Sequence, residues 1–301
     1  MQLDQIVLGM DIGGTNLRMG WVDREYTAHD VEVIPSAGVY QSENTAVAIA
    51  KEVKAYCVKH FGEGMPAIVA AGFPSVVDRD RRKIYSSTNF PGLDGVDIVK
   101  AMSDYLHIPV IIEHDAYYLL SYDIYSHGMK NEGTLIGCYF GTGLGNAMYI
   151  DGKAYYGKNG TACEIGHMPI PLSEEPCSCG NKGCIEMFSC GKAFERLTKK
   201  HFPETPIGEV FETHAQAKVL DEFVRYMAAP VATYANIMDP DGIFLGGGLV
   251  QMAGFPKEKL VDYILQNTRK PYPAANLCLY FSKRSPENGI IGAAIEGFRK
   301  L

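Results

Sequence analysis

Two glycine-tipped hairpins constrain this 301-residue chain more than any other feature. Residues 4–12, DQIVLGMDI, read as a buried strand, DIGGT as a tight turn and NLRMGWVD as the strand that returns. Near residue 133 the pattern recurs: GTLIGCYF is an apolar strand, GTGLG a glycine turn and NAMYIDG the return strand. A supersecondary unit repeated in matching context implies duplication. Glycine at the tip lets backbone N–H groups come close to a phosphate, and a threonine adds a hydroxyl donor. Asp11, Gly13, Gly14, Thr15 and Asn16 sit at the mouth of the first turn, and Gly141, Thr142 and Gly143 at the second. Both turns are therefore read as phosphate loops, with a nucleotide phosphate held between the copies.

The rest of the chain fits an α/β plan. Apolar residues at helical spacing cover 46–58, a buried strand covers 66–73, and another ends at Ile112. Asp115 then stands where a helix starts. It is either that helix's cap or, at the carboxyl end of a buried strand, a ligand-facing group. Helices are expected over 191–202, 215–238 (bent at Pro230), 255–270 and 289–300, with strands over 242–248 and 277–281. The duplication places an N-terminal lobe at 1–113 and a C-terminal lobe at 114–284, with the last helix, about 285–301, returning to the first lobe.

A second feature, residues 161–186, reads TACEIGHMPIPLSEEPCSCGNKGCIE. His167, Cys177, Cys179 and Cys184 are spaced H-x9-C-x-C-x4-C, one imidazole and three thiolates, the closed tetrahedral set that holds structural zinc. A loop of reduced cysteines that bind nothing and a redox C-x-C pair are the competing readings. Zinc would bring Glu164, His167 and Glu186 together as hydrogen-bonding groups. Eight cysteines without a signal-peptide pattern favour metal over disulfides, and the chain is read as cytoplasmic. A net charge of −7 and no long basic run argue against nucleic acid, and no apolar run reaches the ~18 residues of a membrane span. Arg79, Arg81, Arg82 and Lys83 alternate with Asp78 and Asp80 and read as a solvated turn.

EIGH followed by CSCGNKGCIE resembles the signature of the ROK family, named for repressors, open reading frames and kinases. The likeness runs from Gly9 to Phe298. It implies a duplicated actin-like ATPase (ribonuclease H-like) fold, two lobes with the active site in the cleft, and ATP-dependent phosphorylation of a hexose or hexosamine. On this resemblance DIGGTN and GTGLG are the two phosphate loops, with Asp11 facing the magnesium-bound phosphates, and Gly246, Gly247 and Gly248 of DPDGIFLGGGL belong to the adenosine segment. EHDA is similar to the family's E-N-D-A, which makes Asp115 the catalytic base. TNFPGLDG gives Asn89 a sugar-hydroxyl role. Glu164, His167 and Glu186 would complete the sugar site, His167 also ligating zinc.

Two departures stand out. His114 replaces the asparagine that precedes the family's catalytic aspartate and that touches the hydroxyls around sugar carbons three and four. Asn146-Ala147 follow the second loop where the family continues with glycines. Within the family, the D-allose kinases resemble the chain best, in GFPSVVDRDRRKI, CSCGNKGC, DPDGIFLGGGLVQMAGFP and NGIIGAA. Allose differs from glucose at carbon three, so phosphorylation of the D-allose 6-hydroxyl is the expected reaction, with magnesium and ATP as cofactors and zinc as a structural ion. Glucokinase, fructokinase and N-acetylmannosamine kinase activities remain open, as do a sugar-sensing protein without catalysis and assembly as a homodimer. A repressor role is disfavoured, because only about ten residues precede DIGGTN, too few for a helix-turn-helix.

Overall fold

The computed structural model describes residues 2–42, 44–86 and 92–301, grouped in two compact units. The first unit comprises Met1–Lys130, Tyr156–Ala162 and Ser285–Leu301; the second comprises Asn131–Tyr155 and Cys163–Arg284.

The first unit is built on a five-stranded sheet in the order β3-β2-β1-β4-β7, where β1 is Val7–Ile12, β2 Asn16–Val22, β3 Ala28–Pro35, β4 Ile68–Phe73 and β7 Val110–His114. Two short strands, β5 (Val76–Val77) and β6 (Ile84–Ser86), form a separate ribbon. β1 runs antiparallel to β2 and parallel to β4, which runs parallel to β7, so three strands end at the same edge. Alternation along β1 serves both faces of the sheet. Leu8, Met10 and Ile12 pack with the helices Thr45–Phe61 and Ile98–Leu106, while Val7 packs with the C-terminal helix Asn288–Phe298 and Tyr118. Gly9 lies on that second face, and a Cβ there would strike the Ile290 carbonyl, so the glycine permits the C-terminal helix to lie flush on the strand.

The second unit repeats the plan in the order β10-β9-β8-β11-β12, with β8 Thr134–Phe140, β9 Leu144–Ile150, β10 Lys153–Ala154, β11 Gly242–Gly246 and β12 Leu279–Phe281. Strand directions match position for position: an antiparallel hairpin followed by two parallel strands. Its core joins Ile136, Cys138 and Phe140 to Leu220, Phe223, Val224 and Val231 of the helix Lys218–Met238, and to Leu260 and Ile264 of Lys257–Asn267. Pro230 lies inside the longer helix without ending it.

The boundary differs from the expected break after residue 113. The helix Asp115–Ser126 packs against β4, β7 and the C-terminal helix, and so belongs with the first sheet. An apolar helical pattern says that a helix is covered, not which sheet covers it.

Candidate functional site

In the first unit, Asp11 is the penultimate residue of β1 and Asp115 follows β7 at the same edge, the carboxyl end of the parallel strands. Asp115 is the first helical residue; His114 occupies the cap position and makes no side-chain capping bond. The view of Asp115 as only a helix cap is therefore not how this turn is built. Gly72, near the end of β4, gives the helix start room: a Cβ there would meet Tyr118 Cδ2 at 3.0 Å and Asp115 Cα at 3.5 Å. His114 Nδ1 lies 3.6 Å from Asp115 Oδ1. Burial pushes the Asp11 carboxyl up to about 6, and the charge of Asp115 adds to the rise; Arg18, whose Nη1 donates to Asp11 Oδ2 at 3.3 Å, opposes it. Two carboxyl groups at one strand edge, Asp11 with its proton affinity raised by burial and by its neighbour's charge, can seat a divalent cation and supply a proton acceptor.

The first glycine turn is braced from behind. The Gly13 N–H donates to the Asn16 carbonyl at 2.8 Å, and the Gly13 carbonyl accepts from the Ser36 and Tyr40 hydroxyls at 2.7 and 3.0 Å. With its own amide committed, Gly13 shapes the turn, and the exposed Gly14 and Thr15 form its tip.

In the second unit Gly141, Thr142 and Gly143 join β8 to β9. Their carbonyl side is committed too: Gly191 and Lys192, at the start of the helix Gly191–His201, donate to the Gly141 and Thr142 carbonyls at 2.7 and 3.1 Å. That helix end is thus satisfied by the turn. A Cβ on Gly141 would meet nothing closer than 4.0 Å, whereas one on Gly143 would lie 3.2 Å from Glu186 Oε2. Gly246 and Gly247 are packing residues. A Cβ on Gly246 would meet Tyr139 Cδ1 at 2.6 Å, and Gly247, with φ 93°, lies against the backbone of Phe140; only Gly248 opens on free space.

The cysteine loop folds around its glycines. Gly180 and Gly183 have φ of 94° and 70°, and paired backbone bonds from Cys177 N–H to the Asn181 carbonyl and from Ile170 N–H to the Gly183 carbonyl close it. One donor atom each from His167, Cys177, Cys179 and Cys184 falls within 4.8 Å of the others. Cys179 and Cys184 Sγ are 3.6 Å apart, and Cys177 Sγ is 3.7 Å from His167 Nδ1. A tetrahedral ion with bonds of ~2.3 Å to sulfur needs donors about 3.8 Å apart, so these residues fit zinc. His167 turns its other nitrogen, Nε2, to Glu164 Oε2 at 3.5 Å, the outer partner that fixes a metal-bound imidazole. Glu186 Oε1 lies 3.2 Å from Cys177 Sγ, so Glu186 joins the metal loop to the second glycine turn.

The structure thus brings together Asp11, Gly13, Gly14, Thr15, Asn16, His114 and Asp115 in one unit, and Gly141, Thr142, Gly143, Glu164, His167 and Glu186 in the other. Asn89 lies outside the described residues. Arg81 overturns the solvated-turn reading: its side chain is 13% exposed and lies against Glu113. Its neighbours Arg79, Arg82 and Lys83 are exposed as that reading expects.

Two hairpin-led sheets of one topology define the actin-like fold, shared with the solved structures of sugar kinases. The profile of the ROK family matches residues 7–296, and the chain belongs to that family. It is 27% identical over 306 residues to the N-acetyl-D-glucosamine kinase of Aliivibrio fischeri, covering 95% of this chain and 97% of that one. It is 24% identical over 317 residues to the glucokinase of Thermotoga maritima, covering 96% of each. A ROK family glucokinase from Streptomyces griseus, solved in complex with glucose and AMPPNP, shares the fold with a TM-score of 0.75, 24% identity and coverage of 97% of this chain and 98% of that one. Among the described residues no helix is long and apolar enough to cross a membrane.

Proposed function

We propose that this protein transfers the γ-phosphoryl group of ATP to the 6-hydroxyl of a hexose or N-acetylhexosamine. Its class is that of the ROK sugar kinases, the activity named for the relatives above. The observation that carries the reading is the pair of carboxylates, Asp11 and Asp115, at one edge of the parallel strands. Asp115 accepts the hydroxyl proton as the sugar oxygen bonds to phosphorus and the bond to the β-phosphate oxygen breaks, releasing ADP. Asp11 faces the phosphates and would hold magnesium, which would supply charge neutralisation there. Gly14, Thr15, Thr142 and Gly143 offer donors to the phosphates, with Asn16 beside them, and Gly248 is the open position of the adenosine segment. Glu164, His167 and Glu186 bind sugar hydroxyls. Zinc on His167, Cys177, Cys179 and Cys184 would be structural, since four protein ligands leave no position for a substrate water.

The relatives favour glucose and N-acetylglucosamine as substrates. D-Allose is the finer alternative, resting on His114 beside Asp115, where a larger ring meets the hydroxyls around carbon three. ADP release measured across glucose, allose, mannose, N-acetylglucosamine and N-acetylmannosamine separates these. Asp115→Asn should lower the rate on the best sugar by ~100- to 10,000-fold while ATP and sugar still bind. A variant within a few-fold of wild type would remove Asp115 from the chemistry. A higher specificity constant for allose than for glucose, shifted toward glucose in His114→Asn, would establish allose. A clear preference for N-acetylglucosamine or glucose would retire it.

A further inference from the structure

The segment Tyr156–Ala162 belongs to the first unit, although the chain on both sides of it belongs to the second. A buried cluster that the reaction above does not use holds it there. Glu113, 5% exposed at the end of β7, takes the His114 N–H on Oε1 at 2.8 Å and the Tyr156 hydroxyl on Oε2 at 2.6 Å. Arg81 Nε stands 3.4 Å from Glu113 Oε1. The Arg81 guanidinium lies over the Tyr156 ring, 3.5 Å from its centroid, and Tyr117 flanks that ring with centroids 5.3 Å apart. Arg81 also donates to the Val77 and Gly160 carbonyls at 3.0 and 3.2 Å. Its backbone sits in the left-handed region, φ 54°, at a bend where the Asp78 carboxylate accepts the N–H groups of Arg82 and Lys83. Gly160, φ 84°, rests on that bend: a Cβ there would lie 2.5 Å from the Arg79 nitrogen.

This cluster stands at two addresses that matter for the reaction. Glu113 is two residues from Asp115 and bonds the backbone between them. The segment it grips ends at Ala162, immediately before Cys163-Glu164. Burial raises the proton affinity of Glu113, with Arg81 the largest opposing influence, so the carboxylate is matched to its partners rather than to water.

We propose that Glu113 and Tyr156 are positioning residues of the phosphoryl transfer. Their hydrogen bond, roofed by Arg81, fixes both the strand end that aims Asp115 and the point from which the chain feeds Glu164. The inference rests on the kinase reading. A plain structural staple would contribute stability only. A positioning pair contributes to catalysis in protein that is fully folded, because displacement of a reacting group by about 1 Å costs rate steeply.

The test is steady-state kinetics of wild type, Tyr156→Phe, Glu113→Gln and the double variant, with ATP and the best sugar varied separately and melting temperatures measured alongside. Tyr156→Phe removes one hydroxyl and little volume. It should lower kcat/KM for sugar on the order of ten-fold, the size expected for one charge-assisted hydrogen bond, and leave KM for ATP within about two-fold. The double variant should be no worse than Glu113→Gln, since both remove one shared interaction. Folded Tyr156→Phe with wild-type kcat and sugar KM, whatever its melting temperature, overturns the proposal. If Glu113→Gln does not fold, Tyr156→Phe alone decides. A wild type that phosphorylates no sugar fails the kinase reading first, an outcome distinct from an active wild type with a silent Tyr156→Phe.

Discussion

Asp11 is a poor residue for stability and, on the reading above, a good one for magnesium. Its folded-state pKa of about 6 stands above the ordinary 3.8 because of burial and the neighbouring Asp115 charge. Between those values the folded protein holds more protons than the unfolded chain, so stability falls as pH rises through that window, and the loss is complete above about pH 6. In magnesium-free protein at about pH 7, Asp11→Asn should therefore raise stability, on the order of 1–3 kcal/mol, while abolishing sugar phosphorylation. Denaturant unfolding of both proteins at about pH 4 and pH 7 checks this: the gap should close at the acid end. A variant less stable than wild type at neutral pH would mean that the Arg18 contact outweighs burial. The two aspartates could be picked out in the sequence because each closes an apolar strand. Arg81 could not: a basic residue within alternating charges has the signature of a solvated turn, and its partners Glu113, Tyr156 and Gly160 are remote in sequence.

The glycine hairpins and most strands were legible because their apolar runs and turn residues act locally. The helix Ile98–Leu106 also carries local signals: the Asp97 carboxylate accepts the Lys100 N–H at 2.9 Å, and the helix ends at His107 with φ 58°. What sequence could not separate is the work of individual glycines within a turn, since that depends on what approaches from elsewhere. Gly141 faces open space, and Gly143 faces Glu186 at 3.2 Å. Gly141→Ala should therefore raise KM for ATP several-fold with little effect on sugar. Gly143→Ala should raise both constants, because its methyl presses on Glu186, a sugar ligand on the proposed reading. Separate titrations of the two substrates read this out. A Gly143→Ala effect confined to ATP would mean that Glu186 yields without consequence for the sugar.

At the scale of the molecule, the Cys/His loop is where a bound ion would add to the packing of the second unit. Its four donors gather at one point, so an ion bound there would add stability by mass action. Metal analysis should find about one zinc per chain, the number that one four-residue donor set holds. Cys179→Ser, or a strong chelator, should lower the melting temperature and raise KM for sugar more than KM for ATP, because Glu164 and Glu186 lean on the ligands. Chelated protein with unchanged melting and kinetics would remove zinc from the account.

The C-terminal helix lies flush on the first strand, Gly9 against Ile290 and Val7 against Gly297. A ribosome makes β1 long before Asn288–Phe298. The face of the first sheet that carries Val7, Val22, Ile68 and Ala70 waits for that helix to complete its cover while the second unit is synthesised. Chains stalled before residue 288 should thus carry a finished second sheet beside an unfinished first one, the state in which a nascent chain most needs a chaperone.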